Sequence, residues 1–447
     1  MMPPHGNPSM FQKSPYFHPA TLVALIAFLI PFGELPKFLG AEFSLIKIGT
    51  LVLAGWGVIH CLMTRGRMSR TSYDVPIAGL CVALLITLPR TDYPEELTIV
   101  TITIFGYLVF NLVTQNIVTN LAQIRRVLNC YLFSSFLVSL LAILQSVTGK
   151  TWVDVSGRDE LYLTGKSLVV LGTSSNPNSF ATYFILAIPF GLSFLITRKA
   201  VFPRLLWGML ITLYTVVTVM TLSRGAMLGI FIACGVIAVI AKNLRMLTIS
   251  KTALVGALFL SPVLYFLAEN PQYGPAAHIL RNTEYTIVDK FEAVDVRRHL
   301  YRANLLMFFD SPLFGVGYGM SRHYISSYGS PYAGITPHNV LLAIASELGI
   351  FALFAYCFIL YIGGRVGLKS IHLVRTRQEC GVVLALFGGY LGQLIFGLTH
   401  SNYVSIAHWL PLSLLPLTYK ILLKLRRAEL SRPSLVHTID DHCSSLT

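Results

Sequence analysis

The feature that most constrains this chain is a recurrence of apolar runs about twenty residues long, such as 177–197, 225–241 and 379–398. A helical run of that length matches the hydrocarbon thickness of a bilayer. The composition agrees, with 54% of residues apolar and 12% charged, against about 25% charged in an ordinary soluble domain. The expected fold class is therefore an all-α polytopic membrane protein. Runs at 19–35, 38–63, 73–89, 97–118, 127–147, 177–197, 203–221, 225–241, 249–268, 338–362, 379–398 and 405–423 predict about twelve transmembrane helices. Pro189, Pro411 and Pro416 lie inside runs, which a membrane helix accommodates when neighbours re-satisfy the freed backbone groups.

Basic residues in the short connectors orient the spans. With the N-terminus inside, alternate connectors and the tail carry Arg65, Arg67, Arg70, Arg125, Arg126, Arg198, Lys199, Lys242, Arg365, Arg375 and Arg427, among others. The short connectors of the opposite side, the long loop left out, carry only Lys37, Arg90, Lys150, Arg158, Lys166 and Arg224. That bias predicts both termini on the cytoplasmic side. It also accounts for the formal charge of +14 without a dense basic face, so no nucleic-acid partner is expected. The seven cysteines form no CxxC pair and no zinc-like spacing, so neither a disulfide framework nor a structural metal is expected.

The resulting organisation is a disordered lead at 1–18, helices one to nine over 19–267 with an outer loop at 148–172, and a large, partly helical outer loop at 268–337 between spans nine and ten. Helices ten to twelve follow over 338–423, and then a cytoplasmic tail over 424–447.

The large loop holds most of the chemistry. Ala293 to Phe309 has helical periodicity, with Val296, Leu300, Ala303 and Met307 on one stripe. Arg298 and Arg302 share a face, as do Arg297 and Tyr301. The helix is expected to lie at the lipid surface, apolar side down. Arginine's planar fork suits phosphate oxygens and stays charged near neutral pH. Arg224, in the short turn between two spans, is either such an anion ligand or a headgroup-snorkelling residue. Arg302 reads more simply as a surface or lipid contact. His338 opens a span after Pro337, where an imidazole either transfers protons or only bonds the helix start. Asn339 either orients substrate or caps backbone donors. Asn178, opening the span at 177–197, either starts the helix or offers an amide to a sugar or phosphate. Glu347 must pair with a polar neighbour if buried. Gly315-Val316-Gly317-Tyr318-Gly319 predicts close backbone approach or tight turns.

Four ordered fragments resemble the O-antigen ligase and polymerase superfamily of bacterial membrane glycan enzymes. They are Gly172-Thr173-Ser174-Ser175-Asn176-Pro177-Asn178; Thr221-Leu222-Ser223-Arg224-Gly225-Ala226; Arg297 with Tyr301 and Asp310-Ser311-Pro312-Leu313-Phe314-Gly315-Val316-Gly317; and Pro337-His338-Asn339 leading to Glu347-Leu348-Gly349. Tyr301 stands where the family prefers Trp. The resemblance implies an undecaprenyl-diphosphate-linked glycan donor and a lipid A–core acceptor, at the periplasmic face of the bacterial inner membrane, with no cofactor or metal. It further implies that Arg224 and Arg297 neutralise the diphosphate, Arg298 supports them and His338 handles the acceptor hydroxyl. Arg302, Tyr301, Asn339 and Asn178 complete the expected substrate contacts. A polymerase joining lipid-linked repeats shares much of this region. Protein-O-glycan ligases form another branch, and a transporter is the main non-enzymatic alternative.

Overall fold

The computed structural model describes residues 20–33, most of 49–59, 71–93, 110–150, 170–243 and 296–431, isolated positions excepted. Every regular element among them is helical. In order they are α1 (Ala20–Leu29), helical residues within 49–59, α2 (Asp74–Thr87), a helical stretch at 110–117, α3 (Leu121–Thr148), α4 (Pro177–Thr197), α5 (Val201–Met220) and α6 (Arg224–Asn243). Then come α7 (296–310), a single turn at Ser321–Tyr324, α8 (Val340–Leu373), α9 (Arg377–Gly397) and α10 (Ile406–Leu430).

Among the described residues, 7 helices are long and apolar enough to cross a membrane, namely α3 to α6 and α8 to α10. This corrects the expected twelve. The run at 19–35 yields only the 10-residue α1, closed by a 3-10 turn at Ile30–Phe32 that contains Pro31. The run at 73–89 yields the 14-residue α2, closed by Leu88–Arg90. Fourteen helical residues rise about 21 Å, short of the roughly 30 Å hydrocarbon core. The runs at 38–63, 97–118 and 249–268 lie wholly or largely outside the described residues, as do 151–169 of the smaller loop and 268–295 of the larger one. A large loop between spans nine and ten is therefore not what the structure presents. Its described part, 296–337, precedes α8.

The bundle is built around α4, whose apolar stretch is completely buried. The reason is legible in α9, where small residues let backbones approach closely. Gly388 lies against Pro189 and Ile237, Gly389 against Phe190 and Leu186, and Gly392 against Ile185. The Gln393 amide donates to Thr182 O at 3.1 Å. These pairings run α4 and α9 antiparallel. α6 packs on α9 in the same sense: a Cβ on Gly229 would lie 2.7 Å from Gly392 O, and one on Gly225 would lie 2.2 Å from Thr399 Oγ1. The starts of α4, α6, α8 and α10 and the end of α9 consequently share one end of the bundle.

The opposite end is tied by charge. Thr376 and Glu379 form a capping box at the start of α9. The buried Arg426 of α10 bonds the Glu379 carboxylate and donates to Leu373 O, the last residue of α8, at 2.8 Å.

Near the functional end, α8 is broken at Gly349, whose backbone (φ 79°, ψ −173°) no helix contains. The 312–317 strand of loop fills the break. Ile350 N donates to Pro312 O (2.8 Å), Val316 N to Ser346 O (2.9 Å) and Gly317 N to Glu347 O (3.1 Å). Gly315 and Gly349 are the two contact points. A Cβ on Gly315 would meet the Glu347 carbonyl oxygen at 2.4 Å, and one on Gly349 would meet Leu313 O at 2.3 Å. The glycine run is thus half of a two-part joint. Glu347, buried beside it, accepts from Ser321 Oγ at 2.5 Å and Tyr403 Oη at 3.0 Å, which supplies the polar pairing its burial requires. Arg90 clamps the same loop, donating to Ser311 Oγ (2.7 Å) and Gly315 O (2.8 Å) and lying 5.4 Å over the Phe314 ring.

The stripe Leu300, Ala303 and Met307 of α7 is buried, but against Ile325 and the tyrosines of the following loop rather than against lipid. Asn304, also buried on α7, accepts from Ser346 Oγ of α8 at 2.8 Å. These contacts hold α7 to the loop and to the broken start of α8. The face left exposed carries Leu305, Leu306 and Phe309.

Candidate functional site

Asn339 starts α8. Its side-chain oxygen accepts from Leu341 N (3.0 Å) and Leu342 N (3.1 Å), and its amide donates to Leu398 O at 3.3 Å. Of the alternatives open in the sequence, the backbone cap is the one the geometry uses. The tie to Leu398 joins the head of α8 to the turn after α9.

His338 precedes the cap with φ 51°, the sole non-glycine positive φ among the described residues. Such a conformation costs on the order of 1–3 kcal/mol and sets the ring apart from the helix it introduces. The ring stacks on His400, with centroids 5.6 Å apart and planes inclined by 26°. His400 in turn rests on Phe396, with centroids at 5.1 Å. Burial lowers the pKa of His338, and the positive charge of Arg297 lowers it further. Burial, His338 and Arg297 together bring His400 down to about 3. Both imidazoles are therefore neutral near pH 7.

The structure thus brings His338, His400 and Arg297 together. Arg224 is the exposed first residue of α6. Its neighbour Gly225 abuts Thr399, the residue before His400. Asn178 lies at the same end, in the first turn of α4 one turn before Thr182. Its backbone N–H donates to Asn176 Oδ1 at 2.8 Å, so Asn176 is the cap of that helix. Arg298 and Arg302 are exposed on α7, rotated from Arg297 by about 100° and about 140° at helical spacing. The Arg297 charge is the one on α7 that reaches His338. Tyr301 packs into the small α7 core. Among the described residues, no three His, Cys, Asp or Glu side chains gather as they would around a metal ion.

His400 escaped the sequence reading. Its only local signal is a histidine just past the end of an apolar run, and its partnership with His338 arises from the antiparallel packing of α9. Arg90 gave only a topology signal, yet it clamps the loop against α8.

These features define a class: a polytopic membrane protein with a basic, histidine-bearing site at one end of its helical bundle. Residues 208–357 match the family model described as O-antigen ligase. That region contains Arg224, Arg297, His338 and the Gly349 joint. No curated protein and no solved structure matches the chain.

Proposed function

We propose that the protein is an O-antigen ligase, moving a glycan from undecaprenyl diphosphate to a sugar hydroxyl of lipid A–core at the periplasmic face of the inner membrane. The observation that carries this reading is a neutral, conformationally constrained His338 beside Arg297, inside a region matched as O-antigen ligase. His338 accepts the proton of the acceptor hydroxyl as its oxygen bonds to the anomeric carbon. The bond from that carbon to the diphosphate breaks, and the electron pair leaves with the phosphate oxygen. Arg224 and Arg297 neutralise the charge that develops there, where fixed positive groups in a partly dry site are most effective. Arg298 adds field from the neighbouring face of α7. Asn339 holds the head of α8 so that His338 keeps its place.

The test is glycan transfer by purified His338→Ala and Arg224→Ala proteins that insert normally. Removing a general base is expected to slow transfer by about 10²–10⁴-fold. Undiminished transfer by either variant removes the role assigned to that residue.

A further inference from the structure

Three polar atoms at this end of the bundle have no hydrogen-bond partner: Ser223 Oγ, His400 Nδ1 and Ser401 Oγ. Other unpartnered polar atoms, such as those of Asn111, Thr114 and His408, belong to residues elsewhere in the chain. These three flank Arg224 and the His338 ring. Native folds seldom leave buried donors and acceptors unmatched unless something else supplies the partner.

Ser223 is the sharpest case. It immediately precedes α6, where a serine ordinarily accepts a hydrogen bond from the first turn. Its side chain is 2% exposed, yet its hydroxyl makes no such bond. The 20-residue α6 therefore presents an N-terminus without the serine cap, with Arg224 as its first residue. Helix N-termini attract anions through their free N–H groups and dipole. Across from it, Gly225 touches Thr399, and His400 and Ser401 follow in the turn.

We propose that Ser223, His400 and Ser401 are phosphate-binding residues which, with Arg224 and the α6 N-terminus, hold the diphosphate of the lipid-linked donor. The inference rests on the ligase reading and extends it to residues at the start of α6 and in the turn after α9. Each serine hydroxyl donates to a phosphate oxygen, and neutral His400 donates from Nδ1–H in that tautomer. When the glycosyl–oxygen bond breaks, the electron pair goes to the terminal phosphate oxygen, and these donors meet the added charge. The acceptor's proton goes to His338. The stacking of His400 on the His338 ring keeps the two imidazoles side by side.

The experiment measures farnesyl diphosphate binding to full-length protein in nanodiscs, with farnesol as the uncharged control, alongside the unfolding midpoint without ligand. Ser223→Ala, Ser401→Ala and His400→Phe, the last of which keeps a ring against His338, are each expected to weaken binding about tenfold, or about 1.4 kcal/mol. Their ligand-free midpoints are expected to hold or rise, because each removes a buried group that had no partner. Unchanged affinity, or a lowered midpoint marking a structural role, overturns the inference. If Arg224→Ala loses binding while these three do not, the ligase reading stands and this extension fails. Wild-type protein that binds farnesyl diphosphate no better than farnesol defeats the reading beneath it.

Discussion

Replacing Gly349 by alanine tests the joint that fixes the site to the bundle. The residue sits at φ 79°, ψ −173°, a region essentially restricted to glycine, where a side chain costs on the order of 2 kcal/mol. Conformation is the smaller part. The new Cβ would lie 2.3 Å from Leu313 O and 2.6 Å from Phe314 N, and neither is a flexible side-chain end that can swing away. Relief requires the loop to withdraw, breaking the bonds from Ile350 N, Val316 N and Gly317 N at about 1 kcal/mol each. The expected loss is about 5 kcal/mol, a large share of the roughly 5–15 kcal/mol that holds a fold together. Gly329→Ala supplies the control. Its φ is +80°, but a Cβ there meets nothing within 4 Å, so about 1–2 kcal/mol of conformational strain is all it should lose. Unfolding midpoints in mixed SDS micelles measure both. Equal losses for the two variants would refute the interlock and leave only backbone strain.

Two further outcomes follow from the same structure. His338 has a lowered pKa, so the neutral base persists as pH falls through the ordinary histidine value of about 6.5, and the acid limb of kcat/KM should lie below that value. Arg297→Gln removes one cause of the lowering and should move the limb upward toward about 6.5, whatever it does to the maximum rate; an unmoved limb would separate Arg297 from the base. At the other end of the bundle, Arg426→Ala removes the cation from the buried Glu379 carboxylate, leaving it only the bonds from Arg375 N and Thr376 N, and frees Leu373 O. It should destabilise the protein by about 3 kcal/mol, as breaking a buried pair does, with transfer chemistry intact in the folded fraction; a change in its pH profile would contradict that separation.

The long apolar runs made seven of the spans legible, because length and composition alone decide whether a helix can cross. They misled at 19–35 and 73–89, where apolar content outlasted helical geometry and Pro31 and Pro89 stand in the closing turns. The α7 stripe was visible as a period, but periodicity names a buried face without naming its cover, and the cover proved to be the following loop. The glycine run announced a close approach. Its counterpart Gly349 lies more than thirty residues on, and only the folded chain shows that they interlock. Arg224, Arg297 and His338 stood out because charge and imidazole beside apolar runs are conspicuous. His400 did not, because its meaning comes from an antiparallel helix that delivers it to His338 from a distant part of the chain.

The most direct measurement gives purified protein in lipid a defined lipid-diphosphate glycan, once with lipid A–core and once with donor alone, and resolves products by size and mass. The account predicts a single core-linked glycan, formed only when the core is present. A ladder growing by whole repeats from donor alone would contradict it and assign the same site to polymerisation.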